Sequence, residues 1–119
     1  MRQARVIAAH RVPDHPPIRV GVGERVRLGG RDGDWPAFVW ITRADGLGGW
    51  IPRDLLAAEP DGRHAIAQDT YDTLELAADA GETLRLYREQ AGWWWAENRH
   101  GARGWFPARH LESKKGHSE

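Results

Sequence analysis

The chain states one pattern twice. Gly23-Glu24 returns as Gly81-Glu82, Val26-Arg27-Leu28 as Leu84-Arg85-Leu86, and Trp35 as Trp93, all at an offset of 58 residues. Further on, Gly49-Trp50-Ile51-Pro52 returns as Gly104-Trp105-Phe106-Pro107 at an offset of 55, so the first copy holds three more residues in one loop. Internal repetition constrains architecture more than any single residue does. It predicts two similar small modules rather than one fold of 119 residues. The expected boundaries are 1–56 for the first module, 57–63 for a linker, 64–112 for the second module and 113–119 for a flexible tail.

Modules of this size sit near the lower limit for independent folding, where only about 60% of the unfolded surface can be buried. Docking of one copy on the other would enlarge both cores. The 17 basic and 17 acidic residues cancel and neither sign is gathered into one half. A nucleic-acid or anionic-membrane surface would show a basic stripe, so neither partner is expected. Lys114-Lys115 reads as part of the solvated tail. There is no cysteine, which excludes a disulfide framework and a thiolate metal site. The start, Met1-Arg2-Gln3-Ala4-Arg5, reaches His10-Arg11 after too few apolar residues for a signal-peptide core, so the expectation is a soluble, cytoplasmic protein.

Helical periodicity is weak. Short runs of period two, bounded by Gly, Pro and Asp, predict small antiparallel sheets. In the first copy Arg25-Val26-Arg27-Leu28 alternates and Gly29 to Asp34 turns. Phe38-Val39-Trp40-Ile41-Thr42 is β-branched and aromatic, and Ala44-Asp45-Gly46 closes a hairpin. Gly49-Trp50-Ile51-Pro52 follows, ended by a residue that cannot donate to a ladder. The second copy has the same grammar: Thr83 to Tyr87, a turn at Glu89 to Gly92, Trp93 to Glu97, a hairpin at Asn98 to Gly101, then Gly104-Trp105-Phe106. Five short strands per copy remove their edges most economically by closing into a small, partly open barrel. The expected fold class is all-β, with two small five-stranded barrels in tandem.

Seven tryptophans are too many for so small a chain to hide. Indole couples a large apolar area to one polar N–H and favours half-buried sites and interfaces. Alternation along Trp93-Trp94-Trp95 puts the first and third on one face and the second on the other. Two destinations are open for these rings: an external ligand groove containing Trp93, or packing between modules.

The second copy resembles a Src-homology-3 domain over about Ala65 to Leu111. The resemblance rests on Glu75-Leu76-Ala77-Ala78-Asp79-Ala80-Gly81-Glu82, on the pair Trp93-Trp94, and on the run Gly101-Ala102-Arg103-Gly104-Trp105-Phe106-Pro107-Ala108-Arg109-His110-Leu111. The first copy, about Val6 to Leu56, keeps Ile18, Gly23-Glu24, Asp34-Trp35 and Gly49-Trp50-Ile51-Pro52. Together they resemble the tandem variant Src-homology-3 proteins of bacteria. That resemblance implies SH3-like barrels that bind a protein or peptide, with a proline-rich or basic segment as the ligand class. It places Trp93, Trp105 and Pro107 on an apolar platform, and His110 where the family has a tyrosine. Tyr71 becomes a partial substitute for missing groove tyrosines, and Asp72 or Glu75 a charged selector. The same carry-over gives Trp35, Trp50 and Pro52 in the first copy. The strand tyrosines of the family are absent from Ala65-Ile66-Ala67-Gln68-Asp69.

The second reading is structural: degenerate grooves buried between modules or in a homodimer. Val12-Pro13-Asp14-His15-Pro16-Pro17 reads as a stiffened surface loop, with imitation of a ligand as the alternative. Six histidines, His10, His15, His64, His100, His110 and His117, show no zinc-like spacing, so no metal and no cofactor is expected. No nucleophile elbow, phosphate loop or cysteine nucleophile is present, and the only serines, Ser113 and Ser118, lie in the tail, so the chain is expected not to be an enzyme. Trp93→Ala is expected to weaken ligand binding with little cost to folding.

Overall fold

The structure is a computed structural model and describes residues 2–112. The expected tail at 113–119 lies outside the described residues. The described part is all-β: eleven strands and two short 3-10 turns, at Arg53–Leu55 and Ala108–His110, with no α-helix. No helix of the described residues is long and apolar enough to cross a membrane.

The chain divides into two compact units, but not at the expected boundaries. An internal unit runs from His15 to Thr73, and a flanking unit joins Met1–Asp14 to Leu74 onward. Each unit is thus completed by a strand that the sequence repeat assigns to the other copy. In the internal unit, β2 (Arg19–Val20), β3 (Arg25–Arg31), β4 (Phe38–Thr42), β5 (Gly48–Pro52) and β6 (Leu56–Ala58) are followed by β7 (His64–Ala67) and β8 (Tyr71–Asp72). Its larger sheet has the order β5-β4-β3-β7-β6, and β2 pairs with β8. In the flanking unit, β1 (Arg2–Arg5) pairs with β9 (Thr83–Gln90), which continues to β10 (Trp93–Glu97) and β11 (Arg103–Pro107).

Residues 57–63, expected as a linker, instead turn a hairpin inside the internal unit. Leu56 faces Ala67 and Ala58 faces Ala65. Gly62 adopts φ 69° and donates its N–H to the Glu59 carbonyl, and Asp61 Oδ1 accepts from the N–H groups of Arg63 and His64. Pro-Asp-Gly composition marks a turn as readily as a linker. The ladder decides between them.

The two units share one hydrogen-bond plan. Val6 donates to the Glu82 carbonyl and accepts from Gly81, while Ala67 donates to Glu24 and accepts from Gly23. Ile7 donates to the His110 carbonyl as Gln68 donates to that of Leu55. The repeated Gly-Glu pair is a turn device. Gly23 and Gly81 sit at φ 87° and 99°, where a side chain is strained. Each glutamate reaches back three residues, Glu24 to the N–H of Gly21 and Glu82 to that of Asp79. The Arg43 guanidinium hydrogen-bonded to Glu24 holds that carboxyl below its usual range, against the opposing effect of burial.

Strand β3 runs further than expected. It continues through Gly29 and Gly30 to Arg31, with a bulge between Leu28 and Arg31 that defers the turn to Asp32. In the flanking unit the apolar positions of period two meet in one core of Ala4, Val6, Leu76, Ala78, Leu84, Leu86, Ala96, Phe106 and Leu111, against which Trp94 packs. Burying such side chains contributes roughly 1.5–3 kcal/mol each for the larger ones.

Candidate functional site

Register on β10 and β11 assembles the aromatic face of the flanking unit. Trp93 is opposite Pro107, Trp94 opposite Phe106, and Trp95 opposite Trp105. Alternation sends Trp94 and Phe106 to the core and leaves Trp93, Trp95, Trp105 and Pro107 together on the reverse face. Trp95 and Trp105 meet edge to face with ring centroids 5.3 Å apart, an arrangement worth about 0.5–1.5 kcal/mol beyond area burial.

Gly104 sets the edge of this face. A side chain there would put its Cβ 2.7 Å from the Glu75 carbonyl carbon and 2.8 Å from the Leu76 nitrogen. The missing side chain lets the Leu74–Leu76 backbone lie along β11. Trp105 donates to the Leu74 carbonyl and Leu76 donates to that of Trp105, both at 2.9 Å. Glu75 is thereby fixed beside Trp105.

The N-terminal segment brings His10 to the same place. Its backbone exchanges hydrogen bonds with Ala78, and its Nε2 donates to Glu75 Oε1 over 2.7 Å. The imidazole stands edge-on to Trp93 at 5.3 Å, to Phe106 at 5.7 Å and to His110 at 6.0 Å. Arg88, opposite Trp95 in the ladder, lies over the Trp105 ring at 5.5 Å. Aromatic faces attract cations through their quadrupole. The face is covered within the protein: Trp93 is 8% exposed, Trp105 3%, and Pro107 is fully buried.

The expected site residues divide between the units. Trp93, Trp105, Pro107, His110 and Glu75 come together in the flanking unit. Tyr71 and Asp72 belong to the internal unit, where they form β8 and pair with Val20 and Arg19. Trp50 and Pro52 lie on β5 of that unit, facing Trp40 and Phe38. Trp35 does not hold the position of Trp93. Phe38 does, since it faces Pro52 as Trp93 faces Pro107. The three extra residues of the first copy precede β4, so Trp35 falls in the turn, where its carbonyl accepts from Phe38. The low exposure of Trp93 also removes the expectation that its alanine variant would spare folding, because Trp→Ala at a buried site costs about 3–5 kcal/mol.

The expected site residues do not include His10 or Arg88, nor Trp95, although alternation puts Trp95 on the face of Trp93. A signal for His10 exists: Ala4 and His10 precede Ala65 and Tyr71 by the same 61 residues, and each ends at the same ladder position in its unit. Trp40 and Trp50 in the internal unit repeat the Trp95–Trp105 pair, at 5.2 Å, with His15 edge-on to Trp40 at 5.1 Å.

Other clusters have local duties. Glu59, Asp61 and His64 bring ligand atoms within 4.8 Å of one another. Arg25 grips Glu59 with two hydrogen bonds, and His64 Nδ1 donates to Asp61 at 2.7 Å. On β9 and β10, Tyr87 donates to Glu97, and that hydrogen bond is the chief cause of a lowered Glu97 carboxyl.

The family described as variant SH3 domain matches residues 65–113. That match begins in β7 of the internal unit and continues through the flanking unit, so it follows the sequence copy across the structural division. No curated protein and no solved structure matches the chain.

Proposed function

We propose that the chain is a non-enzymatic protein-interaction module in which two SH3-like barrels stand in tandem, and that the flanking unit takes a peptide segment across Trp93, Trp95, Trp105 and Pro107. The observation that carries this reading is the register of β10 on β11, which gathers three indoles and a proline on the face opposite Trp94 and Phe106. The variant SH3 match over residues 65–113 supports an interaction role for the chain.

The face selects a basic or proline-rich segment. Extended proline-rich chains dock on aromatic rings at low ordering cost. Arg88 over Trp105 stands where a ligand cation would stack, and His10 occupies Glu75, the carboxylate that would receive one. An incoming peptide exchanges these internal contacts for its own. Calorimetric titration with basic proline-rich peptides tests the reading on Trp95, the half-buried ring of the set. Trp95→Ala costs on the order of 2 kcal/mol of binding, roughly thirtyfold in affinity. Unchanged affinity in a folded variant removes the ring face as the site.

The low exposure of Trp93 and Trp105 supports a second, structural reading, in which the rings serve stability alone. It predicts no measurable titration with any such peptide.

A further inference from the structure

The exchange of first strands between the two copies has a chemical simplicity that invites a partner. Strand β1 lies on β9 with Ala4 opposite Leu84, and β7 lies on β3 with Ala65 opposite Val26. Leu84 and Val26 are equivalent in the repeat. The backbone hydrogen bonds that follow, at Val6 and Ala67 and at Ile7 and Gln68, are the same in both places. Both slots therefore accept one kind of strand, held by main-chain bonds and by a small buried residue: Ala4 is 6% exposed and Ala65 0%. Each strand nevertheless sits in the copy that does not follow it in sequence.

We propose that residues 2–11 are a transferable strand, and that two copies of this chain donate it to each other to form a closed dimer. Reciprocal exchange reproduces every native contact of β1, so the dimer forfeits only association entropy, the general reason that swapped dimers are cheap. Three features of the segment favour transfer. Only two of its side chains, Ala4 and Val6, are buried, while Ile7 is 53% exposed. The connection at 11–17 contains no regular element. That connection also carries Pro13, Pro16 and Pro17, which hold their preceding residues extended and oppose a fold-back. In the dimer His10 of one copy completes the aromatic face of the other. That consequence rests on the site reading above; the exchange itself does not.

The absence of cysteine from the chain makes a direct test simple. Arg5 and Thr83 are opposite each other and both exposed. One preparation carries Arg5→Cys and another Thr83→Cys. The two are mixed, unfolded, refolded at high concentration and oxidised, and the products are read on a non-reducing gel. The proposal expects the mixed cross-linked pair in several-fold excess over either self-pair, and an intrachain bridge in the double variant refolded dilute. Light scattering on the unmodified chain, refolded at rising concentration, is expected to show a growing dimer fraction. A random distribution of cross-links, or a monomer at every concentration, overturns it.

Discussion

His10 and Glu75 stand 65 positions apart in the chain and 2.7 Å apart at Nε2 and Oε1. The contact joins a segment from the start of the sequence to the strip that borders β11, and it places an imidazole against Trp93 at the edge of the aromatic face. Both side chains are about four-fifths buried, at 17% and 20% exposure.

His10→Ala frees the Glu75 carboxylate and uncovers Trp93. Affinity for a basic peptide is expected to rise several-fold, while folding stability falls by about 1 kcal/mol with the lost hydrogen bond. Calorimetry for binding and urea unfolding for stability check the two halves separately. A fall in affinity at unchanged stability would make His10 a ligand contact instead of a competitor.

Gly104→Ala forces a methyl group against the Glu75–Leu76 backbone. Overpacking of this kind costs on the order of 2 kcal/mol, and here it also pushes Glu75 away from Trp105. Gly30→Ala is the control, since its Cβ would meet nothing within 4 Å. Denaturant midpoints are expected to fall for the first variant and hold for the second.

Asp61 gives the acid response a local component. The hydrogen bond from His64 and then that from the Arg63 N–H bring its carboxyl from the ordinary 3.8 down to about 2. A depressed carboxyl stabilises the fold above the unfolded value, and that contribution is lost as pH falls from about 4 through the folded value. The group is exposed, so the effect is modest and weakens with salt. Asp61→Asn is expected to flatten the stability profile of the chain below about pH 4, read from thermal midpoints across that range. An unchanged acid slope would contradict the assignment.

Local chemistry was legible in the sequence where a turn or a face demanded a residue type. Asp45-Gly46 closes its hairpin with Gly46 at φ 87°, and Gly101 does the same at 85°. Trp94 packs on the core while Trp95 stays on the face of Trp105, as alternation required. Partner choice was not legible. Period-two runs announce that Ala4 and Ala65 belong to strands, but main-chain pairing carries no address, and the backbone bonds at Val6 and Ala67 are alike in the two units. That hid His10, which reaches Glu75 only because β1 lies on β9. Phe38 was hidden for another reason: Trp35 is the more conspicuous aromatic, and the loop insertion of the first copy shifts the ladder by three residues past it.

The central claim is that the face of Trp93, Trp95, Trp105 and Pro107 receives a peptide. Amide and indole N–H NMR shift mapping, with a mixed set of proline-rich and basic peptides, addresses it most directly. The account predicts shifts gathered on the Trp95 and Trp105 indoles and on the amides of His10 and Glu75, with Trp94 unmoved. An unchanged spectrum, with the indole protons of Trp93 and Trp105 protected from solvent exchange, would contradict it and leave the rings a structural role.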